Sequence, residues 1–417
     1  MAAKKLAGNM VIAQSGGPTM VINQSLVGAV REAKMHKEIN KIFGSLHGLK
    51  GILEENLVDL GQETPATLER VAQTPSSALG SVRKKPTPAD CVRVFQVLQK
   101  HGIRYFFYIG GNDSAETTHI INEEARKAGY ALRCFHICKT IDNDLRENDH
   151  TPGFGSAAKF VAQAFMGDNL DNRALPGVKI NVVMGRHAGF LTAASALARV
   201  HPDDGPHLIY LPERPFTVEK FLANVRAVFE KRQRCVAAVS EGIADERGTA
   251  IASKFIQETD THGNVQLSGT GALGDLLANE IRKADITTRV RADTFGYLQR
   301  SFVGVVSPAD AREARAVGVA AVKFATGGHF ENGSTALRRQ PGKRYQTWIE
   351  RVELAAVAKE TRHMPDTFIN AEGNDITPAF IAYVSPIVGP LPRIGRLKAV
   401  RVPKRGSVAA GCATRLP

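Results

Sequence analysis

Residues 105–114 read Tyr-Phe-Phe-Tyr-Ile-Gly-Gly-Asn-Asp-Ser. The five apolar residues predict a buried strand at 105–109, and the two glycines predict a tight turn. A helical stretch follows over 114–128, for which Asp113 or Ser114 is the expected N-cap. A strand, a glycine turn and a helix in this order are typical of parallel α/β sheets.

The same alternation continues on both sides of this stretch. Before it, residues 10–13 and 41–46 predict strands and 21–36 a helix; after it, 132–137 predicts a further strand. A second series predicts strands at 178–184, 208–211 and 236–239 and helices at 189–198 and 218–232, and two more helices are predicted at 272–283 and 311–324. We therefore predict an α/β protein with two Rossmann-like, doubly wound parallel-sheet domains.

Composition favours a globular enzyme with a small anionic substrate. Of 417 residues, 43% are hydrophobic and 23% charged, and no run of eighteen apolar residues occurs, so we expect a cytoplasmic protein without a membrane partner. The net charge is +13, but seven basic and no acidic residues follow Asp375, which accounts for about half of the excess. Aromatic residues, at 6%, argue against a nucleic-acid partner.

The five cysteines form neither a zinc motif nor a disulfide framework. Cys134 and Cys138 flank His136 on one face of a predicted strand, an arrangement that more often reflects packing than metal ligation. Beyond residue 386 proline, glycine and arginine recur without periodicity, so we expect an extended tail with a loosely ordered last dozen residues.

Two further stretches contain chemistry suited to phosphate. Gly16 and Gly17 follow the first strand and precede a helix, and Arg83 begins a run of three cations. Small residues let backbone N–H groups approach a phosphate at a helix N-terminus. Taken singly, a glycine pair is as readily an ordinary turn and a basic run an ordinary solvated surface.

Residues 139–144 read Lys-Thr-Ile-Asp-Asn-Asp and follow the strand at 132–137. They therefore lie at the carboxyl end of the predicted sheet, where ligands of open α/β sheets bind. Asp142 and Asp144 offer a base and a metal or hydroxyl partner, and Lys139 offers a charge for a phosphate. The competing interpretation, an Asx-rich turn, fits an isolated pair of acids better than this hexapeptide.

Together these motifs resemble the phosphofructokinase family over residues 16–300. Further matches, in the family's order, are Met184-Gly185-Arg186, Pro212-Glu213, Ser240-Glu241-Gly242 and Phe295-Gly296-Tyr297-Leu298-Gln299-Arg300. The resemblance implies a donor domain with the catalytic loop at 1–150, a sugar-phosphate domain at 151–305, a region completing both at 306–385 and a basic extension at 386–417.

The resemblance also implies roles for the residues of the acidic hexapeptide. Asp142 takes the proton from the sugar 1-hydroxyl, with Thr140, Asp144 and Lys139 beside it, and Arg186 assists at the transferred phosphoryl group. The donor phosphates are expected at the glycine turns and the basic run, formed by Gly16, Gly17, Arg83, Gly111, Asn112, Asp113, Ser114 and Lys139. An alcohol nucleophile needs such a carboxylate, and the phosphoryl oxygens need cations and N–H donors.

For the sugar phosphate, the resemblance implies a second set of residues. Glu241 accepts from sugar hydroxyls, Arg300 holds the 6-phosphate, and Tyr297 stands where many relatives have histidine. The full set is Thr140, Asp142, Met184, Gly185, Arg186, Glu241, Arg291, Tyr297 and Arg300. Because Arg291 matches an arginine that the family brings from a neighbouring subunit, a homo-oligomer, dimer or tetramer, with a shared site is implied.

Two positions favour pyrophosphate as the phosphoryl donor. The ATP-using branch has glycine where this chain has Asp113 and Lys139, and both substitutions match the pyrophosphate-dependent branch. The implied cofactor is Mg²⁺, but Asn112 replaces the family's metal-binding acid. The metal is then expected at Asp113 and Asn112, or on pyrophosphate with Asp142 or Asp144.

Other functions fit the sequence less well. An ATP-dependent phosphofructokinase is the alternative within the class. A non-catalytic regulatory subunit or sugar-phosphate sensor would lack the base, whereas Asp142 is intact. A nicotinamide oxidoreductase would carry GxGxxG after the first strand, which is absent here. The preferred prediction is transfer of a phosphoryl group from pyrophosphate to fructose 6-phosphate.

Overall fold

The computed structural model describes residues 6–254, 271–342, 344–358 and 361–402. The strands are β1 Gly8–Gln14, β2 Ile39–Ser45, β3 Leu57–Asp59, β4 Ile103–Gly110, β5 Arg133–Cys138, β6 Val178–Val183, β7 Leu208–Tyr210, β8 Cys235–Ser240, β9 Val290–Thr294, β10 Asn332–Arg339 and β11 Thr347–Val352. The α-helices are α1 Ile22–Ala33, α2 Leu49–Leu53, α3 Pro65–Ala72, α4 Pro88–Lys100, α5 Asn112–Lys127, α6 Phe154–Ala174, α7 Phe190–Ala193, α8 Val218–Arg232, α9 Ala272–Lys283, α10 Leu298–Ser301, α11 Pro308–Thr326, α12 Leu354–Val357 and α13 Pro378–Val388.

The strands form two sheets. The first has the order β11-β10-β5-β4-β1-β2-β3 and is parallel except for its outer strands β3 and β11. The second has the order β7-β8-β6-β9 and is parallel throughout. The predicted α/β class with two parallel sheets is confirmed.

Strand β1 shows why the first sheet is covered on both faces. Met10 and Ile12 pack in one apolar cluster with residues of α1 and α11. Val11 and Ala13 point the other way and pack in a second cluster with residues of α4. Alternate residues of a strand face opposite sides of a sheet, so a continuous apolar run requires helices on both sides.

Helix α5 begins two residues earlier than predicted, and its expected side-chain cap is wrong. Gly111 is the N-cap, and no side chain caps the helix. Ser114 Oγ instead contacts Ser15 Oγ, and the Asp113 carboxylate pairs with Lys85. Both candidate caps are thus directed toward neighbouring segments rather than back to the helix.

The helix predicted at 189–198 is interrupted. It consists of α7 followed by a 3₁₀ turn, Ala194–Ala198. Helix α6 was not predicted because apolar and polar residues are not cleanly separated in its sequence: its buried residues include Asn169 and Asn172, whereas Leu170 is exposed.

The C-terminal part of the chain contributes to both halves. Strands β10 and β11 extend the first sheet, α11 packs against α1, and α13 packs against α6. Residues 389–402 contain neither helix nor strand, and Arg396 pairs with Asp203 at 2.6 Å. The domain limits at 150, 305 and 385 stay predictions, and the last dozen residues lie outside the described part.

Cys91, Cys134, Cys138 and Cys235 are buried free thiols, as the packing interpretation expects. His136 is buried as well, and its two ring nitrogens lie 2.8 Å from Ser334 Oγ and from the Gly110 carbonyl. None of the helices in the described residues has the length and apolar character needed to cross a membrane.

Candidate active site

A cavity of about 490 Å³ lies where carboxyl ends of strands from both sheets meet. It is lined by most of the predicted site residues: Gly16, Gly17, Arg83, Gly111, Asn112, Asp113, Ser114, Lys139, Thr140, Asp142, Asp144, Met184, Arg186, Glu241 and Arg300. Gly185, Arg291 and Tyr297 do not line it. Motifs far apart in the sequence are thus brought to one place.

The glycine turn after β1 is held by the segment that carries Arg83. Gly16 has a φ of +73°, which favours glycine. Its N–H donates to the Val82 carbonyl at 3.2 Å, and Ser81 Oγ donates to its carbonyl at 2.6 Å. These bonds place Arg83 beside the turn at the cavity wall.

The second glycine turn presents the N-terminus of α5 to the cavity. Asn112 Oδ1 is buried there without a hydrogen-bond partner. The exposed carboxylate of Asp113 pairs with Lys85 at 3.3 Å, and the Lys85 ammonium also binds Glu116 at 2.9 Å. Buried polar atoms are normally paired, so the unpaired Asn112 oxygen is a candidate ligand atom.

Lys139 connects the first glycine turn to the loop that follows β5. Its buried ammonium donates to the carbonyls of Ser15 and Gly17 at 2.9 and 2.7 Å. Burial, assisted by the charge of Arg300, lowers the pKa of Lys139 to about 7. The lysine therefore brings a titratable cation to the glycine turn.

We call residues 139–153, between β5 and α6, the acidic loop. Thr140 Oγ1 accepts a hydrogen bond from the Asp142 N–H at 3.1 Å. Burial raises the pKa of Asp142, while the nearby cations, led by Lys139, oppose this shift. Burial and the charge of Asp142 raise the pKa of Asp144 to about 7. A carboxylate with a raised pKa is better suited to accept a proton near neutral pH.

The wall from the second sheet depends on Gly185. Its φ is +142°, and an added Cβ would lie 2.7 Å from the Ala188 carbonyl oxygen, so only glycine fits there. Its N–H donates to Glu241 Oε1 at 3.4 Å, and Ser240 Oγ donates to its carbonyl at 2.6 Å. Gly185 therefore shapes the cavity from behind Glu241 rather than lining it.

The two remaining predicted residues lie differently. The Arg300 guanidinium lines the cavity and sits 4.5 Å over the ring of Tyr297, which is itself 45% exposed. Arg291 is exposed on β9, the edge strand of the second sheet, and donates to the Val290 carbonyl. Within one chain, Arg291 is not part of the cavity.

Sequence reasoning missed several lining residues. His187 directly follows the Met184–Arg186 motif, and Glu116 and Thr117 lie one turn into α5, so proximity to a motif could have indicated them. Burial and the charge of Arg186 lower the pKa of His187. Thr361 had no sequence signal, because it comes from a distant segment.

The protein offers few ligands for a metal ion by itself. Among the described residues, no group of three or more His, Cys, Asp or Glu side chains is arranged to hold one. The unpaired Asn112 oxygen and the neighbouring Asp113 carboxylate nevertheless fit a hard cation that takes most of its ligands from a substrate.

Two parallel sheets, glycine turns at strand ends and paired carboxylates beside cations define a phosphotransferase-type site. The family model for phosphofructokinase matches residues 9–325, and the chain belongs to this family. It is 56% identical to pyrophosphate--fructose 6-phosphate 1-phosphotransferase of Rhodospirillum rubrum, over 95% of this chain and 98% of that protein.

Other relatives agree. The enzyme of the same name from Xanthomonas campestris is 38% identical over 91% of both chains. The crystal structure of pyrophosphate-dependent phosphofructokinase from Marinobacter aquaeolei matches with a TM-score of 0.82 and 33% identity, covering 95% of this chain and 98% of that one.

Proposed function

We propose that the protein transfers a phosphoryl group from pyrophosphate to the 1-hydroxyl of fructose 6-phosphate, giving fructose 1,6-bisphosphate and phosphate. The observation that carries this proposal is the position of Asp142. Its carboxylate lines the cavity together with the glycine turn and Lys139. Arg186, Glu241 and Arg300, which follow strands of the second sheet, line the same cavity. The residues proposed as the base, the anion site and the sugar-phosphate site thus line one cavity, which supports the proposal.

In the proposed reaction Asp142 accepts the proton of the 1-hydroxyl while that oxygen attacks the near phosphorus of pyrophosphate. The bond from this phosphorus to the bridging oxygen breaks, and phosphate leaves. Lys139, Arg83 and Arg186 stabilise the charge on the phosphoryl oxygens. Arg300 and Glu241 hold the sugar phosphate so that the hydroxyl is aligned.

The geometry around Lys139 supports pyrophosphate as the donor. The ammonium lies 3.3 Å from the position that a Cβ on Gly16 would take and is bound to two carbonyls of the turn. It occupies space beside the glycine turn that a glycine at position 139 would leave open. Asp113 adds a side chain to the cavity lining where a glycine would leave space, which disfavours the longer polyphosphate of ATP.

Magnesium is part of this proposal. Asn112 and Asp113 would hold the ion together with oxygens of pyrophosphate, and Asp142 or Asp144 are the alternative protein ligands. Bound there, Mg²⁺ would neutralise charge on the phosphoryl oxygens. Homo-oligomerisation, with Arg291 of a second copy completing the site, is also proposed, and the cytoplasmic location stays a prediction.

Turnover of fructose 6-phosphate with pyrophosphate and with ATP, each with and without Mg²⁺, tests the proposal. We expect pyrophosphate to be preferred by roughly 100-fold in kcat/KM, and activity to require the metal. A preference for ATP would contradict the assigned donor, and an absence of turnover with both donors would contradict the function.

The change Asp142→Ser tests the base. We expect kcat to fall about 1,000-fold, because positioned general bases contribute 10²–10⁴-fold, while fructose 6-phosphate binding measured by calorimetry is retained. Asp366→Ser is the matched control, since the side chain of Asp366 is 85% exposed and pairs only with Arg214 among the ion pairs of the described residues. Retained turnover in Asp142→Ser would exclude this mechanism.

A further inference from the structure

A short segment, residues 361–364, crosses from the acidic loop to the second half of the molecule. Thr361 forms an antiparallel bridge with Leu145, and the Arg362 N–H donates to the Asp144 carbonyl at 2.6 Å. The segment thus pairs with the acidic loop immediately after its catalytic carboxylates.

The other end of the segment contacts the loop that follows β6. His363 Nδ1 lies 3.1 Å from the carbonyl of His187, the residue after Arg186. The Met364 N–H donates to Glu213 Oε1, which also accepts from the Gly189 N–H. Residues 361–364 therefore join the loops of the two sheets that face each other across the cavity.

Arg362 makes the most contacts to the acidic loop. Its Nη2 donates to the Asn143 carbonyl at 2.7 Å, and its Nη1 donates to the carbonyls of Asp149, at 2.9 Å, and Asn148. The guanidinium lies 4.9 Å from the ring centre of Phe190. One side chain thus satisfies backbone carbonyls from two turns of the loop.

The peptide unit that receives Arg362 lies between the two catalytic carboxylates. Asn143 has a φ of +59°, in the left-handed region that non-glycine residues seldom adopt. Its side chain accepts from the Thr151 N–H at 3.1 Å and donates to the Tyr383 hydroxyl at 2.8 Å. This conformation is held by contacts on both sides of the peptide, one of which is Arg362.

We propose that Arg362 is a positioning residue for phosphoryl transfer, whose guanidinium fixes the acidic loop so that the Asp142 carboxylate faces the sugar hydroxyl. The inference rests on the proposed function. The planar guanidinium presents donors on separate nitrogens in a fixed fork, a geometry that the single nitrogen of a lysine ammonium does not reproduce. Arg362 is not among the residues that line the cavity, so it acts on substrate through the loop.

The test compares Arg362→Ala and Arg362→Lys with the wild-type chain in the pyrophosphate reaction. For Arg362→Ala we expect kcat to fall about 100-fold, because small misplacements of a catalytic group cost that much. KM for both substrates should change less than about threefold, since their binding groups lie on other elements. Arg362→Lys should retain about a tenth of wild-type kcat or less, and low concentrations of guanidinium should partly restore Arg362→Ala.

Arg338→Ala is the matched control. Arg338 also contacts the acidic loop, but through the Glu147 carboxylate at 2.9 Å. We expect the kcat of Arg338→Ala to stay within about twofold of the wild-type value. Thermal unfolding of every variant separates a loss of fold from a loss of alignment. If Arg362→Ala does not fold, the kcat of Arg362→Lys decides whether the inference holds.

Three results would overturn the inference: wild-type kcat in Arg362→Ala, full activity in Arg362→Lys, or a loss confined to KM. In that order, these results would mean that the arginine has only a structural role, that it acts through its charge alone, or that it serves substrate binding. A wild-type protein without turnover would instead overturn the proposed function, and this inference with it.

Discussion

Lys139 combines a buried position with a cationic role. Burial lowers its pKa to about 7, whereas an unfolded lysine titrates near about 10.4. Between these values the unfolded chain binds more protons, so this group makes the free energy of unfolding rise with pH over that window. A bound anion favours the ammonium, and pyrophosphate binding above pH 7 must therefore take up a proton at Lys139.

We predict that the KM for pyrophosphate of the wild type rises above pH 7 by up to about tenfold per pH unit. In Lys139→Arg the cation persists, so this part of the dependence should disappear. Steady-state kinetics from pH 6.5 to 9 would measure the KM for pyrophosphate of both proteins. The ionisation of pyrophosphate itself affects both equally and cancels when the two pH profiles are compared. The exposed Lys127→Arg is the control, and parallel profiles for wild type and Lys139→Arg would refute the assignment.

How far single residues could be predicted from the sequence depends on how local their signal is. Asp142, Lys139 and Gly16 stand in short motifs next to apolar strands, and the structure places them around one cavity. Arg362 stands in no such pattern, because its role comes from carbonyls more than 200 positions away in the chain. Contacts of that kind become visible only once the fold is known.

At the scale of elements, α1 and α11 are in contact through glycines. A Cβ on Gly318 would lie 2.1 Å from the Ser25 carbonyl oxygen, and a Cβ on Gly28 would lie 2.3 Å from that of Arg315. Backbones can approach this closely only where side chains are missing. The two helices cover one face of the first sheet, beside the glycine turn that precedes α1.

We predict opposite effects for two glycine substitutions within helices. Gly318→Ala should lower the free energy of unfolding by about 1–3 kcal/mol, since the added methyl forces α1 and α11 apart. Gly167→Ala in α6 should raise it by about 0.5–1 kcal/mol, because nothing lies within 4 Å of the new methyl and alanine favours helix. Denaturant titration measures both, and equal shifts would contradict the packing argument.

The elements found from the sequence were those with a simple local pattern. Strands β1 and β4 are apolar and end in glycine turns, so their type and order were predictable. Strand β10 reads Asn-Gly-Ser-Thr-Ala-Leu-Arg-Arg and joins the sheet beside β5, about 200 residues earlier in the chain. Its pairing depends on the assembled sheet rather than on its own composition, and it was not predicted.

At the scale of the whole molecule, Arg291 is one of the three predicted site residues that do not line the cavity of the single chain. It lies on the edge strand β9. In the segment that follows, Leu298, Phe302 and Val303 are 64%, 40% and 77% exposed. Exposed apolar side chains close together in sequence are typical of contact surfaces. The proposed second copy would cover them and bring Arg291 toward the cavity of its neighbour.

Subunit complementation tests this arrangement directly. Arg291→Ala and Asp142→Ala should each be inactive alone, because every site then lacks the arginine or the base. Co-expressed in equal amounts with different tags, they should recover about a quarter of wild-type activity for a dimer, since half the dimers are hybrids with one intact site each. Purification through both tags should raise this to about half, and mass photometry should show the oligomer. Hybrids without activity, or a fully active Arg291→Ala, would show that each chain forms its site alone.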